Sequence, residues 1–302
     1  MTHQLSHWLE KFLVEVVTAV AIAAAYFLLY PAVRGDDSSQ AVVFLAAGGL
    51  HRVVVFAAGV VALAAVCAVL TIRARPAAAI IATLVGAGAV SVRSPGLRTV
   101  LWLQDGGYTG LFAEMILEVV LLGLVLACAA AVAGWVRSAM VRIRPQWGWR
   151  PPQAAQTAAQ AAKAAPLAGL GHVGQSAVSA IVALSLGIVL VTVLLQSSER
   201  GQIIFALLLA FAVAVLLAHR LLPACYTQVY FAVPLGAAIL FYALAAVGAY
   251  GSSPESWIEV PLYARALPVD WLAAGCGGAA IGLWISQRMN DSRLFEGQPQ
   301  AR

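Results

Sequence analysis

The segment GLFAEMILEVVLLGLVLACAAAVAGW, residues 110–135, decides the fold class of this protein. It is apolar throughout, except for two acidic side chains, Glu114 and Glu118. A helix of about 20 predominantly apolar residues is long enough to cross the hydrocarbon core of a bilayer. The segment therefore predicts a transmembrane helix.

Seven further segments show the same pattern. The chain of 302 residues is 62% hydrophobic and only 10% charged, whereas soluble domains carry about 25% charged residues. This composition excludes a soluble globular protein, and the continuous apolar runs lack the alternation of a transmembrane β-barrel. We predict an all-α, polytopic transmembrane bundle of eight spans, at about residues 12–33, 53–72, 77–92, 110–135, 176–195, 202–222, 226–250 and 269–287.

The basic residues predict the orientation of the bundle. With the N-terminus in the cytoplasm, twelve of the 18 Lys and Arg residues lie in inner segments and six in outer ones. Cytoplasmic loops carry such an excess of basic residues. Eight spans then bring the C-terminus back to the cytoplasm. Because arginine outnumbers lysine sixteen to two in an alanine-rich chain, we expect the cytoplasmic (inner) membrane of a bacterium.

A basic segment rich in alanine and proline divides the chain. We predict a first membrane bundle of four spans at 1–135, a cytoplasmic linker at 136–175, a second four-span bundle at 176–290 and a polar tail at 291–302. The equal halves raise the question of an internal repeat. Each half contains a His-Arg pair, but the spacing around the pairs differs. The two alternatives are an internal duplication and a chance match in a chain of this composition.

The start of the linker is both basic and aromatic. Arg142, Arg144, Trp147, Trp149 and Arg150 form a candidate lipid-binding surface. Basic side chains are attracted to anionic lipid, and tryptophan favours the headgroup level. The alternative interpretation is a low-complexity linker without a binding role.

Two acids inside the fourth predicted span are the candidate catalytic residues, together with an arginine of the preceding outer loop. Glu114 and Glu118 are four residues apart and share a helix face, and Arg98 is within plausible reach. Ionisable groups at membrane depth are costly and mark candidate functional sites. We expect both acids to face the bundle interior, neutralised by Arg93 or Arg98. The alternative is an ion-pair cluster that only stabilises the fold.

Other polar and small residues favour structural roles. Gly278 and Gly282 form a GxxxG pattern, which allows close packing of membrane helices. The pairs His51-Arg52 and His219-Arg220 lie near span ends, where we expect them to reach the membrane surface.

Known catalytic motifs are missing from the sequence. The four cysteines form no CxxC pair, and no ligand set for zinc or haem is present. Segment 95–99, PGLRT, departs from the PGxSRS loop of membrane undecaprenyl-diphosphate phosphatases, and the order of loop and acid pair is reversed. We therefore expect no cofactor, no metal and no nucleic-acid partner.

Three functions are compatible with the sequence. We favour a non-catalytic structural or accessory subunit of the membrane, with lipid, other proteins or further copies of the chain as partners. The second is a small-solute or ion transporter or channel, whose candidate lining residues are polar: Glu114, Glu118, Thr83, Ser179, Ser185 and Thr192. The third is an outer-leaflet lipid-phosphate enzyme that uses Glu114, Glu118 and Arg98.

Overall fold

The protein is helical in every long segment of its computed structural model, and no strand occurs among the residues that the model describes. These are residues 2–34, 44–45, 49–97, 108–147, 171–223, 226–247 and 260–296.

Eight helices in this part of the chain are long and apolar enough to cross a membrane. The prediction of an eight-span bundle is confirmed, and the protein is an integral, multi-pass membrane protein. The helices are α1 (Thr2–Ala24, continued by Ala25–Leu29 and Tyr30–Val33), α2 (Leu50–Leu70), α3 (Pro76–Arg93), α4 (Tyr108–Ile143), α5 (His172–Leu194), α6 (Arg200–Leu221), α7 (Val229–Val247) and α8 (Pro268–Asp270, continued by Trp271–Gly275 and Cys276–Glu296).

Helix boundaries follow ordinary sequence signals. Pro76 occupies the first turn of α3, where its missing N–H costs no hydrogen bond. Gly49 precedes α2 with a φ of 77°, a left-handed conformation that favours glycine.

The fourth span is longer than predicted. α4 continues past residue 135 to Ile143 and is followed by a 3-10 turn, Pro145–Trp147. Proline in a helix interior clashes with the preceding turn, so Pro145 marks the end of α4. The first eight residues assigned to the linker, 136–143, are thus a continuation of the membrane helix.

The extension of α4 is tied to the turn between α2 and α3. The guanidinium of Arg137 donates to the backbone carbonyls of Thr71 and Ile72, at 3.1 and 2.9 Å, and to that of Ala74. Carbonyls at the end of a helix have no partner within the helix. Arg137 donates to three carbonyls of the turn that follows α2, and that of Thr71 also accepts from the Ala74 N–H, at 2.9 Å.

The two predicted halves share one hydrophobic core. α4 packs against α2 from its own half and against α7 from the other half, and α3 packs against α8.

α8 is the most buried span. Its packing against α6 depends on two glycines. A Cβ atom built on Gly278 or Gly282 would lie 2.2 Å from the carbonyl oxygen of Leu208 or Ala212, so the two helix backbones are in direct contact.

Two spans contain a π-helical turn, Ala25–Leu29 in α1 and Trp271–Gly275 in α8. The turn in α8 faces Pro234, which lies inside α7. A Cβ on Gly275 would be 2.8 Å from the Cβ of Pro234. Such turns displace backbone groups from the regular helix pattern and are frequent at functional sites.

Orientation in the membrane stays a prediction, and cysteine labelling tests it. In a cysteine-free variant, Gln153→Cys should react with an impermeant maleimide only after the cells are opened. Ser197→Cys, in the described segment between α5 and α6, is the matched control and should react in intact cells. The reverse pattern would show that the bundle is inverted.

Candidate functional site

A buried ionic centre joins three spans that are distant in sequence. Arg200 opens α6, Asp270 lies in the first turn of α8, and Ser91 lies in the last turns of α3. The guanidinium of Arg200 forms a salt bridge with the carboxylate of Asp270. Asp270 has no exposed surface and the Arg200 side chain is 17% exposed, so the pair is largely removed from solvent.

Both oxygens of the Asp270 carboxylate are fully engaged. Oδ1 accepts from Ser91 Oγ at 2.6 Å and from Arg200 Nη2 at 2.5 Å. Oδ2 accepts from Arg200 Nη1 and from the Leu267 N–H, at 2.7 Å. Arg200 Nη2 also donates to the Ser91 carbonyl, at 2.8 Å. A buried ion pair is tolerated when its remaining hydrogen-bonding groups are satisfied. The carboxylate meets that condition, whereas Nε of Arg200 is buried with no hydrogen-bond partner among the described residues.

A cluster of aromatic side chains packs on Trp271, next to the ionic centre in the sequence. Trp271, which follows Asp270, is fully buried and packs edge-on against Phe211, with ring centroids 6.0 Å apart, and against Phe241, at 5.7 Å. Tyr242 donates its hydroxyl to the Ala266 carbonyl. The Asp270 carboxylate is thus followed by a fully buried aromatic side chain, and burial strengthens the attraction between paired charges.

The two predicted acids of α4 occupy different environments. Glu118 has no exposed surface, whereas Glu114 is exposed. Our expectation that both face the bundle interior is therefore wrong for Glu114. Glu118 Oε2 accepts from the Leu45 N–H at 3.3 Å. Its Oε1 has no hydrogen-bond partner among the described residues.

Of the two predicted arginine partners, the structure describes only Arg93. Arg93 donates from Nη1 to the Tyr26 carbonyl at 2.8 Å, and its guanidinium lies 4.5 Å from the ring centroids of both Tyr26 and Tyr30. It therefore contacts α1 instead of Glu118. Arg98 lies outside the described residues, so its pairing with Glu114 or Glu118 stays a prediction.

Neutralising Glu118 should be tolerated. A charged acid at this depth costs several kcal/mol on insertion scales, and glutamine keeps an oxygen that can accept from the Leu45 N–H. We expect Glu118→Gln to change the free energy of unfolding by less than about 1 kcal/mol. Chemical unfolding in mixed micelles measures it, with Glu114→Gln as the exposed control. A loss of several kcal/mol for Glu118→Gln alone would mean that the charge itself holds the fold.

The polar residues predicted to line a transport path bond within the scaffold. Thr83, Ser185 and Thr192 each donate to a backbone carbonyl of their own helix. Ser179 Oγ lies 2.6 Å from the hydroxyl of Tyr230 in α7. Each hydroxyl thus has a partner inside the protein.

The His-Arg pairs do not behave alike. His51 is exposed, as a residue at the membrane surface is expected to be. His219 is buried, 2.8 Å from Ser286 Oγ in α8 and edge-on to the Tyr230 ring. The expectation that His219 reaches the membrane surface is wrong, because its hydrogen-bond partner lies inside the bundle.

A lateral groove between four spans is a feature that could accept a ligand. Its volume is about 310 Å³, at the lower end of the usual range for ligand pockets, about 300–1,000 Å³. Its lining is almost entirely apolar and comes from four spans, α1, α3, α6 and α8: Ile22, Tyr26, Leu84, Val85, Gly88, Ala89, Ser91, Val92, Ile204, Leu208, Ala273, Ala274 and Gly277. Two lining residues, Ser91 and Tyr26, carry hydroxyls, and that of Ser91 is already bonded to Asp270.

The predicted lipid-binding surface of the linker is described only in part. Arg142 and Arg144 are exposed. The side chain of Trp147, together with Trp149 and Arg150, lies outside the described residues. Binding of this surface to the membrane stays a prediction.

Arg200 and Asp270 were missed in the sequence because they are 70 residues apart and were assigned to the outer ends of spans. One signal was present, since Asp270 falls inside the predicted span 269–287.

Three free cysteines are described, two of them buried, and no cluster of His, Cys, Asp or Glu among the described residues could hold a metal ion. Comparison of the chain with protein-family models, curated proteins and solved structures returned no match.

Proposed function

We propose that the protein is a non-catalytic, membrane-embedded accessory subunit. The observation that carries this proposal is the use of its intramembrane polar groups. Asp270, the one buried carboxylate with a cationic partner among the described residues, has both oxygens filled by donors of the scaffold itself. A catalytic carboxylate must instead be able to reach a substrate.

The peripheral spans support the same proposal. α1 and α5 have few buried residues, and α1 exposes Phe12, Phe27 and Leu28 along much of its length. These apolar side chains face lipid or a partner helix. A buried core with apolar outer spans is compatible with a subunit that packs against other membrane proteins.

Extraction from the native membrane tests this function. In cells that naturally make the protein, direct extraction into polymer-bounded nanodiscs should yield a second membrane protein in stoichiometric amount. Deletion of the gene should lower the abundance of that partner. Restoring wild-type protein, Glu118→Gln or Glu114→Gln should rescue it equally, because neither acid acts chemically. Isolation of the chain alone, with no membrane protein changed by deletion, would refute the proposal.

Transport is the second candidate, favoured by one observation. Glu118 Oε1 is buried without a hydrogen-bond partner among the described residues, and acids of this kind occur in proton relays. Transport predicts solute or proton flux in proteoliposomes that Glu118→Gln abolishes and Glu114→Gln does not.

The lipid-phosphate enzyme has no such observation in its favour, since Glu114 is exposed and Arg98 lies outside the described residues.

A further inference from the structure

We infer that the lateral groove between α1, α3, α6 and α8 binds one acyl chain of an anionic phospholipid, whose phosphate is held by Arg93. This inference goes beyond the accessory function and does not depend on it. Four features of the groove lead to it: its apolar lining, an arginine at its end, the two π-helical turns beside it and the open space at Gly88.

The lining selects an apolar occupant. Leu84, Ile204 and Leu208 supply aliphatic surface at membrane depth, and the Ser91 hydroxyl is occupied by Asp270. A polar solute would lose its hydrogen bonds to water and gain few in return. A hydrocarbon chain loses nothing of this kind, so the groove matches an acyl chain.

Arg93 supplies charge complementarity at the end of the groove. Val92 and Tyr26 line that end, and Arg93 follows Val92 and packs over the Tyr26 ring. Its contacts are a backbone carbonyl and two aromatic rings, and it forms no ion pair with a described residue. The positive charge is therefore fixed in place, and no described acid neutralises it, as a phosphate-binding arginine requires.

Arg200 does not compete for this role. It lies one turn before Ile204 on the same face of α6, close to the groove, but its charge is balanced by Asp270. The net charge at this end of the groove thus comes from Arg93. Its attraction for phosphate should depend on salt, as interactions of exposed charges do.

Both described π-helical turns border the groove. The turn in α1 contains Tyr26, whose carbonyl accepts from Arg93. The turn in α8 contains Ala273 and Ala274, which line the opposite wall. Two irregular turns facing one cavity are expected of a binding site more than of simple helix packing.

Gly88 offers a way to close the groove. A Cβ on Gly88 would meet only Ala273 Cβ, at 3.9 Å, which is ordinary van der Waals contact. The side chain of Gly88→Leu then projects into the groove without pushing the helices apart. Gly236→Leu in α7 is the matched control, because no heavy atom lies within 4 Å of its Cβ position.

Lipid titration of the whole purified protein tests the inference. Native mass spectrometry should detect one tightly bound phosphatidylglycerol, with phosphatidylcholine bound about fivefold more weakly, the effect of about one basic residue near an anionic headgroup. Each buried methylene is worth roughly fourfold in affinity. Gly88→Leu should therefore weaken both lipids about tenfold, and Gly236→Leu should weaken neither.

The headgroup is tested separately. Arg93→Gln should reduce phosphatidylglycerol binding to the level of phosphatidylcholine, while Arg34→Gln, an exposed arginine after α1 outside the groove lining, should preserve the preference. Melting temperatures of all four variants near that of wild type verify the fold.

Several results would overturn the inference. They are equal binding of both lipids by wild-type protein, insensitivity to Gly88→Leu, or an equal loss for Arg93→Gln and Arg34→Gln. If inorganic phosphate displaced bound phosphatidylglycerol as strongly as added lipid does, the acyl chain would make no contribution to binding. A photo-crosslinker at Val92 that labels protein in native membranes, and not lipid, would assign the groove to a partner helix.

Discussion

Replacing Asp270 with alanine should destabilise the protein by about 3–5 kcal/mol, the range found when one partner of a buried ion pair is removed. The substitution leaves the Arg200 guanidinium, 17% exposed, without its counter-charge. The Ser91 hydroxyl and the Leu267 N–H also lose their acceptor. The free energy of unfolding in mixed micelles measures the effect.

A nearby exposed acid provides the control. Glu199 immediately precedes Arg200 and is exposed, so Glu199→Ala should change the free energy of unfolding by no more than about 0.5 kcal/mol. The double variant Arg200→Met with Asp270→Leu should recover part of the lost stability, because apolar pairs often replace buried ion pairs at little cost. Equal effects of Asp270→Ala and Glu199→Ala would show that the ionic centre contributes nothing.

The contact between α6 and α8 should be almost as sensitive. Gly278→Ala places a Cβ 2.2 Å from the Leu208 carbonyl oxygen. That atom belongs to the backbone, so relief requires the two helices to separate. We expect a loss of about 1–3 kcal/mol, the usual cost of overpacking, together with a lower melting temperature.

The adjacent glycine should respond differently. A Cβ on Gly277 meets only Leu84 Cβ, at 3.9 Å. Gly277→Ala should therefore be neutral or stabilising by up to about 1 kcal/mol, the difference in helix propensity. If Gly277→Ala and Gly278→Ala lowered stability equally, the close backbone approach at Gly278 would not explain the loss.

The sequence was sufficient for the spans because their signal is local. A bilayer requires about 20 consecutive apolar residues, and each span meets that requirement within its own segment. The extension of α4 to Ile143 was not predicted because the residues after 135 are more polar. Hydropathy identifies the apolar part of a helix and does not show where a helix ends beyond the membrane.

The ionic centre was harder to predict because its members are distant in sequence. Ser91, Arg200 and Asp270 meet only when α3, α6 and α8 have packed. Glu118 shows the same limit. The cost of a charged group in the membrane correctly predicted that Glu118 is buried. Its observed donor is the backbone N–H of Leu45, and nearly every residue has such a group, so the sequence does not indicate which one donates.

The Arg137 contacts have a consequence for the order in which the protein assembles. The carbonyls of Thr71, Ile72 and Ala74 belong to residues made 63 to 66 positions before Arg137. During synthesis from the N-terminus, the hairpin of α2 and α3 reaches the membrane before Arg137 can donate to the Ile72 and Ala74 carbonyls, whereas the Thr71 carbonyl already accepts from the Ala74 N–H, at 2.9 Å. Its turn is completed only when the far end of α4 leaves the ribosome. A nascent chain stalled before residue 137 should thus present this turn to proteases, and a chain stalled well beyond it should protect the turn.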